Sequence, residues 1–539
     1  MILNINTTYE KTGFMAKLYN YILFSTASVF FGYVTIRMVF PVIKNRLHPL
    51  KGFTAILVFS LCFLILWAAD KYLVRKMDQK TAKAAIFTLI AINAALQVLC
   101  LFELKVKPSW DFGAIINASD DISAGRAIRN WGYFQEYPYN LYPAVIVGTF
   151  KFLLGGYQAA PYILNVLCVT SSIIGACLLA YRTYGQRAAV LTALFCLAST
   201  PLYLDIPIVY TDTLSMPFVI WTVYAWSFIR NGGKKLLLYG ILIGLLSAMG
   251  FLIKQIAALG LAAFIFDFIF NREKYVPAVY QTKKSLLNLL KGTLPLAAAF
   301  FTFFLIVSAF KFYVDYRGFD NRIDYGKSLP YTHWLMMGMN TMPSEGGTSS
   351  GYGGFSAQDL KYSRTYKTSS DKKFAEIAVI KNRLFQFGVG GYADFLLKKI
   401  EWTWTDGTYY VPVKLARFPV RRTFLHRFVL FSDGRANKLY LIFSQFVQLM
   451  ILSMILTGCI ASLKIPSDRT FRLMSLMCLG LMFFLLFWET RSRYLIFMIP
   501  VFAVMTVYGI TLAFREVDKV SAYLYRTLKL LLKGSLEGT

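Results

Sequence analysis

The chain has 539 residues, of which 57% are hydrophobic and 17% aromatic, and its mean hydropathy is +0.51. A soluble globular protein of this length cannot bury so large an apolar fraction, so the composition excludes that class and predicts a polytopic membrane protein. The formal net charge is +29 at pH 7, an excess that in a membrane protein is typical of cytoplasmic loops and does not indicate a nucleic-acid partner.

Twelve apolar runs are long enough, or nearly so, to cross a bilayer. They cover residues 18–40, 53–70, 84–104, 159–181, 188–204, 214–230, 236–252, 255–270, 293–314, 438–463, 473–488 and 494–513. The first run is too long for a signal-peptide core, so we expect a retained span. Another run, 142–154, is short and begins with Tyr-Pro, which favours a re-entrant or interfacial helix. The sequence therefore predicts an all-α polytopic protein with about 12 transmembrane helices, in a range of about 11 to 13.

Basic residues cluster in alternate loops, and the positive-inside rule assigns these loops to the cytoplasm. They are the loops at Arg75 to Lys83, Arg182 to Arg187, Arg230 to Lys235, Arg272 to Lys291 and Lys464 to Arg472, and the tail from Arg515. The extracytoplasmic face then carries 105–141, 205–212, the turn at Lys254, 315–437 and 489–493. Most of the chain's unusual polar residues lie on that face.

This topology divides the chain into five parts. They are extra N-terminal helices (1–83), a transmembrane core (84–314) with a first outer loop (105–158), an extracytoplasmic subdomain (315–437), C-terminal helices (438–514) and a basic amphipathic cytoplasmic tail (515–539). The outer segment 315–437 is too long for a simple connection, and its glycines between 346 and 354 suggest a mobile lid. A flexible linker is the alternative interpretation.

The outer carboxylates are the first candidates for chemistry. Asp111 follows an apolar helix and is flanked by Trp110 and Phe112, which we expect to anchor it at headgroup depth, where it could act as a base on an acceptor hydroxyl. An ordinary helix-end Asp is the alternative. Asp120 and Asp121 could support Asp111 or could cap the Ala-rich helix that follows.

Asp212 stands where a helix enters the membrane, so it could be a supporting acid or a helix cap. Asp111 and Asp212 together could hold a divalent cation, although nothing in their spacing requires one. All seven cysteines fall inside apolar runs, which indicates neither a disulfide framework nor a cysteine metal site.

Cationic residues at the outer boundary are the second group of candidates. Lys254 interrupts an apolar stretch, and such a charge is costly unless it pairs or binds an anion. Arg491 and Arg493 lie between two apolar spans and suit a phosphate, which guanidinium groups grip bidentately. The alternative is a helix hairpin with a salt bridge from Glu489 to one of these arginines.

His333 could bind the same phosphate or move a proton, or it could be structural. With three histidines in the chain, a multi-histidine metal site is not expected. The outer face is rich in aromatic residues, which could stack on sugar rings or form an interfacial belt. These are Tyr133, Phe134, Tyr137, Tyr139, Tyr142, Trp402 and Trp404.

Short motifs recur in a definite order along the chain. They are Trp110-Asp111-Phe112-Gly113, Tyr137-Pro138-Tyr139-Asn140-Leu141-Tyr142-Pro143, Leu154-Gly155-Gly156, Tyr210-Thr211-Asp212-Thr213, Phe251-Leu252-Ile253-Lys254 and Glu489-Thr490-Arg491-Ser492-Arg493-Tyr494. Over roughly 84–514 this order resembles the C-type (GT-C) glycosyltransferase superfamily, in the branch of protein O-mannosyltransferases and lipid A aminoarabinose transferases. The chain departs from that pattern because two extra spans precede the acidic loop and Phe112, not a second acid, follows Asp111.

The resemblance implies a GT-C-like helical core and a membrane glycosyltransferase that takes a sugar from a polyprenyl-phosphate donor and inverts the anomeric carbon. Asp111 would be the base, and Lys254, Arg491, Arg493 and His333 would hold the carrier phosphate, with no cofactor required and a divalent cation possible. The acceptor would be an envelope glycan, lipid or protein, outside a bacterial plasma membrane. A polytopic glycan polymerase or ligase, and a flippase for lipid-linked sugars, are the alternative functions.

Overall fold

The computed structural model describes residues 14–43, 47–229, 235–271, 286–341, 351–430, 434–465 and 468–537. In this part of the chain the regular structure is helical, and one isolated antiparallel bridge joins Val106 to Pro419. The predicted all-α class is confirmed.

Thirteen helices precede the gap at 272–285. They are α1 (Phe14–Val39), α2 (Gly52–Tyr72), α3 (Gln79–Glu103), α4 (Trp110–Ser123), α5 (Trp131–Glu136), α6 (Leu141–Leu153), α7 (Ala160–Tyr184), α8 (Gln186–Ala198), α9 (Pro201–Leu204), α10 (Thr211–Leu214), α11 (Met216–Trp226), α12 (Leu236–Ile253) and α13 (Leu259–Phe270). Those after it are α14 (Leu286–Tyr316), α15 (Tyr331–Met337), α16 (Ala357–Arg364), α17 (Ser369–Trp404), α18 (Val411–Leu415), α19 (His426–Val429), α20 (Arg435–Lys464), α21 (Arg469–Phe487) and α22 (Ile499–Glu537).

Within the described residues, nine helices are long and apolar enough to cross a membrane. They are Phe14–Val39, Gly52–Lys76, Gln79–Glu103, Ala160–Tyr184, Leu236–Ile253, Thr293–Tyr316, Arg435–Lys464, Arg469–Phe487 and Ser492–Thr527. Each coincides with one of the twelve predicted runs, so the multi-span architecture is confirmed.

The other three predicted runs form shorter helices. Run 188–204 is divided because α8 ends at Ala198 and Pro201 begins α9. The backbone leaves the helical conformation at Ser199 (φ −76°, ψ 89°), and Pro201 has no backbone N–H to bond the carbonyl four residues earlier, so α8 does not continue through it. Runs 214–230 and 255–270 contain α11 and α13, of 11 and 12 residues.

Several loops predicted to be cytoplasmic contact one another. Asp70 pairs with both Arg75 and Arg187, and Arg75 also pairs with Asp518 of α22. These contacts join the end of α2, the start of α8 and the last helix at one end of the molecule. The loops that the positive-inside rule groups together are therefore neighbours in space.

The buried apolar residues form two cores, a larger one among the long helices and a smaller one beneath the first outer loop. Helices α4 and α6 pack so closely there that a Cβ atom added at Gly148 of α6 would lie 2.8 Å from the Ile122 side chain of α4. Phe112, Phe134 and Val411 are buried in this core. It links the first outer loop to the 315–437 segment and so gives the outer face a rigid base.

The segment 315–437 contains α15 to α19. Its longest helix, α17, has a non-helical residue inside it, Gly388, at φ 60°. Of the predicted lid, residues 342–350 lie outside the described part of the chain, and Gly353 and Gly354 are packed against Lys399 and Arg491. The described end of the predicted lid is therefore fixed in the protein, because close contacts hold it.

The segment predicted to be a basic amphipathic tail is helical. It continues α22 from the last span to Glu537. No proline or glycine interrupts the sequence between Arg515 and Leu532, so nothing local ends the helix.

Candidate active site

A cavity of about 670 Å³ lies where the predicted outer segments meet. Its walls include Asp111 from the first outer loop, Tyr210 from the second, Lys254 from the turn after α12, His333 from α15 and Arg491 from the loop after α21. Five segments that are distant in sequence and were all predicted to face the same side thus converge on one space.

Asp111 lies in the first turn of α4 and lines the cavity. Its carboxylate accepts hydrogen bonds from the hydroxyl groups of Tyr133 (2.8 Å) and Tyr210 (3.1 Å). Burial and the Asp111 charge both raise the pKa of these two tyrosines well above the usual range. The tyrosines therefore stay protonated as donors, which holds Asp111 in one orientation.

The backbone before Asp111 is unusual, because Trp110 has φ 46°. A bulky residue in this left-handed region stores strain, and such residues cluster at functional sites. The expectation that Phe112 anchors the loop in the headgroups is wrong, since its side chain is fully buried in the protein core. It is the inward packing of Phe112 that fixes the start of α4.

Arg491 and Arg493 also line the cavity. The Arg491 guanidinium lies 5.0 Å from the ring centre of Tyr410, and that of Arg493 lies 5.4 Å from the ring centre of Trp110. Among the described residues neither guanidinium has a carboxylate within 4.0 Å, and Nη1 of Arg491 and Nε of Arg493 are buried without a hydrogen-bond partner. A buried Arg491 and a partly buried Arg493 in this state favour an anionic ligand.

The two lysines of the cavity wall are different, because each has a buried aspartate partner. Lys254 pairs with Asp212, and Lys414 pairs with Asp205 at 2.6 Å. Burial raises the pKa of Asp205 to about 6, against the opposing effect of Lys414. Asp212 lies within α10 and does not cap it, since Tyr210 is the capping residue.

The salt bridge from Glu489, which was the alternative to phosphate binding, does not form. No Lys, Arg or His nitrogen in the described part of the chain lies within 4.0 Å of its carboxylate, although Glu489 lines the same cavity and is 6% exposed. The tertiary structure holds the segment extended, so residues two and four positions apart do not pair.

The 315–437 segment holds the loop that carries the two arginines. Lys399 donates to the carbonyl oxygen of Trp488 (2.8 Å), and the Thr490 amide donates to that of Gly353 (2.7 Å). Asp406 accepts from the Ser492 hydroxyl at 2.5 Å. The loop is therefore anchored on both sides of Arg491, so the guanidinium groups are preorganised.

His333 lines the cavity but is also part of a buried hydrogen-bond network. Its Nδ1 lies 2.8 Å from the Ser363 hydroxyl, which donates to Glu376, and 3.6 Å from the Glu376 carboxylate. These contacts of Nδ1 agree with a structural role for His333, which was one of the alternatives at the sequence level.

Asp120 and Asp121 do not line the cavity. Asp120 pairs with Lys151 of α6 at 2.5 Å, and Asp121 pairs with Arg129 at 2.9 Å. Both lie in the second half of α4, so the expectation that they cap a following helix is wrong. They brace the first outer loop, because their partners lie on α6 and in the loop after α4.

The cation site considered for Asp111 and Asp212 is not an open pair of carboxylates. Asp212 is 1% exposed and faces Lys254, and it is not part of the cavity wall. Within the described ranges no group of three His, Cys, Asp or Glu side chains is arranged to hold a metal ion.

The aromatic residues of the outer face have different positions. The tyrosines Tyr133, Tyr137, Tyr139 and Tyr142 line the cavity, whereas Phe134 and Trp404 are buried in the two cores. Trp402 lies beneath Arg491, 5.6 Å from ring centre to guanidinium.

Sequence reasoning missed Lys399, Asp406 and Lys414, and it counted Asp205 among the outer carboxylates without predicting its pairing with Lys414. Lys399 and Lys414 are charged, buried and located in the outer segment, where nothing local distinguishes them from surface lysines. The signal for Asp205 is a charged residue followed directly by the apolar residues 206–209.

Residues 16–514 match the model of a family described as "Conserved hypothetical integral membrane protein". The chain belongs to this family. No curated protein matches the chain significantly. Membership in the family and the nine candidate spans agree with the predicted membrane localisation.

One similar solved structure is the archaeal oligosaccharyltransferase AglB from Archaeoglobus fulgidus, in complex with an inhibitory peptide and a dolichol-phosphate. The two chains are 13% identical with a TM-score of 0.36, over 82% of this chain and 51% of AglB. This chain thus spans about half the length of that protein. A similarity at this level does not assign a function, and the branch suggested by the motifs stays a prediction.

Proposed function

We propose that this family member is a membrane glycosyltransferase with a GT-C-like core, which transfers a sugar from a polyprenyl-phosphate donor to an acceptor hydroxyl. The observation that carries the proposal is that one cavity presents a carboxylate held by tyrosines together with two arginines that have no carboxylate partner among the described residues. Asp111 faces the cavity with two tyrosine partners, while Arg491 and Arg493 face it with no carboxylate within 4.0 Å among the described residues. A phosphate-linked substrate would complete this arrangement.

Asp111 acts as the general base. The acceptor oxygen forms a bond to the anomeric carbon while its proton passes to Asp111, and the bond from that carbon to the phosphate oxygen breaks with its electron pair. A single displacement of this kind inverts the anomeric carbon. Tyr133 and Tyr210 keep the carboxylate pointed at the attacking hydroxyl.

The departing lipid phosphate is stabilised by Arg491 and Arg493. Arg491 is buried and Arg493 is partly buried, and in a site that excludes much of the water hydrogen bonds to developing charge are strong. Lys254 assists from the neighbouring wall, where its ammonium and Arg493 lie on the same Tyr494 ring at 4.8 and 5.1 Å. Phosphate is itself a good leaving group, so these residues need only orient and neutralise it.

The cavity is proposed to open on the extracytoplasmic side. Every segment that contributes a charged wall residue is one that the positive-inside rule places outside. The acceptor is then an envelope glycan, lipid or protein, and the setting is a bacterial plasma membrane.

The proposal is tested with purified protein in lipid nanodiscs, polyprenyl phosphate carrying a radiolabelled hexose, and native membranes as the source of acceptors. We expect label to move to a membrane acceptor one sugar at a time, with release of polyprenyl phosphate. Transfer of a preassembled glycan would favour a ligase or polymerase. Label that stays on the lipid in every membrane tested would contradict the proposal.

A further inference from the structure

Glu489 is a second carboxylate in the cavity that the proposed reaction does not use. It is 6% exposed and makes no hydrogen bond or ion pair with any residue that the structure describes. Burial raises the pKa of this carboxyl, while the charges of Arg493 and Arg491 oppose the rise. Its carboxylate faces the cavity and accepts from no described donor, so a ligand that supplies donors can hydrogen-bond it there.

Beside Glu489 the cavity wall is a stack of aromatic side chains that is partly exposed to the cavity. The rings of Trp334 and Trp488 stack with centres 5.6 Å apart and planes 2° apart, and Phe484 stacks on Trp488 at 5.1 Å. Tyr139 meets Trp334 edge-on at 5.6 Å. These four residues line the cavity and none is completely buried.

An aromatic surface next to an unpartnered carboxylate has the composition of a carbohydrate subsite. The apolar C–H face of a sugar ring can pack on the indole rings, and its hydroxyl groups can donate to the carboxylate. Hydrogen bonds to a charged acceptor in a water-poor site are among the stronger ones in proteins.

We infer that Glu489, Trp334 and Trp488 form the subsite for the donor's sugar ring, in which Glu489 accepts hydrogen bonds from the ring hydroxyls. The inference rests on the proposed function, because a lipid phosphate at Arg491 would bring the attached sugar next to Glu489. The subsite takes an uncharged, hydroxyl-rich sugar. A uronic acid is excluded, because its carboxylate would be repelled by Glu489 and Asp111.

The position of Glu489 is fixed by its neighbours in the chain. Lys399 holds the Trp488 carbonyl, and Gly353 holds the Thr490 amide. Because both adjacent peptide groups are anchored, the carboxylate is already ordered before the ligand binds. Less free energy is then lost to ordering, and more of the hydrogen-bond energy contributes to affinity.

The test uses Glu489→Gln, which preserves side-chain size. Dissociation constants are measured in nanodiscs for bare polyprenyl phosphate and for polyprenyl phosphate carrying glucose, mannose, galactose or glucuronate. We expect at least one hexose, but not glucuronate, to strengthen binding to the wild type. In the variant this gain falls by about 10- to 100-fold, while bare polyprenyl phosphate binds equally or more tightly, because a negative charge beside two arginines is gone.

Glu103→Gln is the matched control, since Glu103 pairs with Arg421 outside the cavity, and it should change neither constant. Equal weakening of all lipids by Glu489→Gln would indicate a merely structural role and overturn the inference. So would an unchanged hexose gain in the variant, no gain for any hexose in the wild type, or tight binding of glucuronate. Wild-type protein that binds a hexose carrier better than bare polyprenyl phosphate but transfers nothing would instead contradict the proposed function.

Discussion

At the scale of single residues, the cations around the cavity fall into two kinds. Lys254 and Lys414 are neutralised by buried aspartates, whereas Arg491 and Arg493 have no such partner among the described residues. A net positive charge therefore remains only at the arginine end of this set. We expect the lipid phosphate to bind there, with the lysines in a supporting role.

Arg491→Ala should weaken binding of polyprenyl phosphate by about 10- to 100-fold, because a buried charge-assisted hydrogen-bond donor is lost. The measurement is a lipid-binding titration in nanodiscs. Arg421→Ala is the control, since Arg421 is exposed and pairs with Glu103 away from the cavity. Equal affinities for the two variants would show that Arg491 does not hold the phosphate.

Several of these residues could be predicted because charge at a membrane boundary is costly and therefore visible in the sequence. Asp111, Lys254 and Arg491 were found in this way and do line one cavity. The salt bridge considered as an alternative for Glu489 does not form, because pairing depends on side-chain direction, which sequence spacing does not give. Asp120 was placed near Asp111, yet α4 turns its side chain toward Lys151.

At the scale of elements, the outer segment acts as a clamp on the loop between α21 and α22. Lys399 and Asp406 contact this loop through buried polar bonds, and Gly354 packs directly on Arg491. The long apolar helices could be predicted from hydropathy alone. The clamp could not, because its contacts join residues more than 80 positions apart.

Gly354→Ala tests the clamp. The added Cβ would lie 2.8 Å from the Arg491 guanidinium, so the guanidinium must move. Because that group ends a flexible side chain, we expect little change in Tm but a loss of about tenfold in polyprenyl phosphate affinity.

Gly132→Ala is the matched change, since a Cβ there would meet nothing within 4 Å. If both alanine variants bind the lipid like the wild type, the close packing at Gly354 does not position Arg491.

At the scale of the whole molecule, the structure groups the loops as the charge pattern does. Asp70, Arg75, Arg187 and Asp518, from the loops assigned to the cytoplasm, contact one another. The cavity is lined by the loops that were assigned to the extracytoplasmic face. This grouping followed from the positive-inside rule, which depends on loop charges that the sequence shows directly. Loop charges do not predict the break within run 188–204, which depends on the local effect of Pro201.

The orientation is tested with two introduced cysteines at exposed positions, Ser370→Cys in α17 and Gln79→Cys at the start of α3. In intact cells a membrane-impermeant thiol reagent should label the first, because it lies in the predicted extracytoplasmic segment. The second should react only after permeabilisation. The reverse pattern, or labelling of both from outside, would place the cavity on the wrong side.

The central claim is that Asp111 is the base of a sugar transfer, and the most direct measurement compares turnover of Asp111→Asn and Asp394→Asn with the same polyprenyl-phosphate sugar and acceptor. General-base removal should lower kcat of Asp111→Asn by about 10²- to 10⁴-fold while donor binding is retained. Asp394→Asn should turn over like the wild type, because Asp394 is exposed, pairs with the neighbouring Lys398 in its own helix and lies outside the cavity. Near-normal turnover by Asp111→Asn would contradict the account.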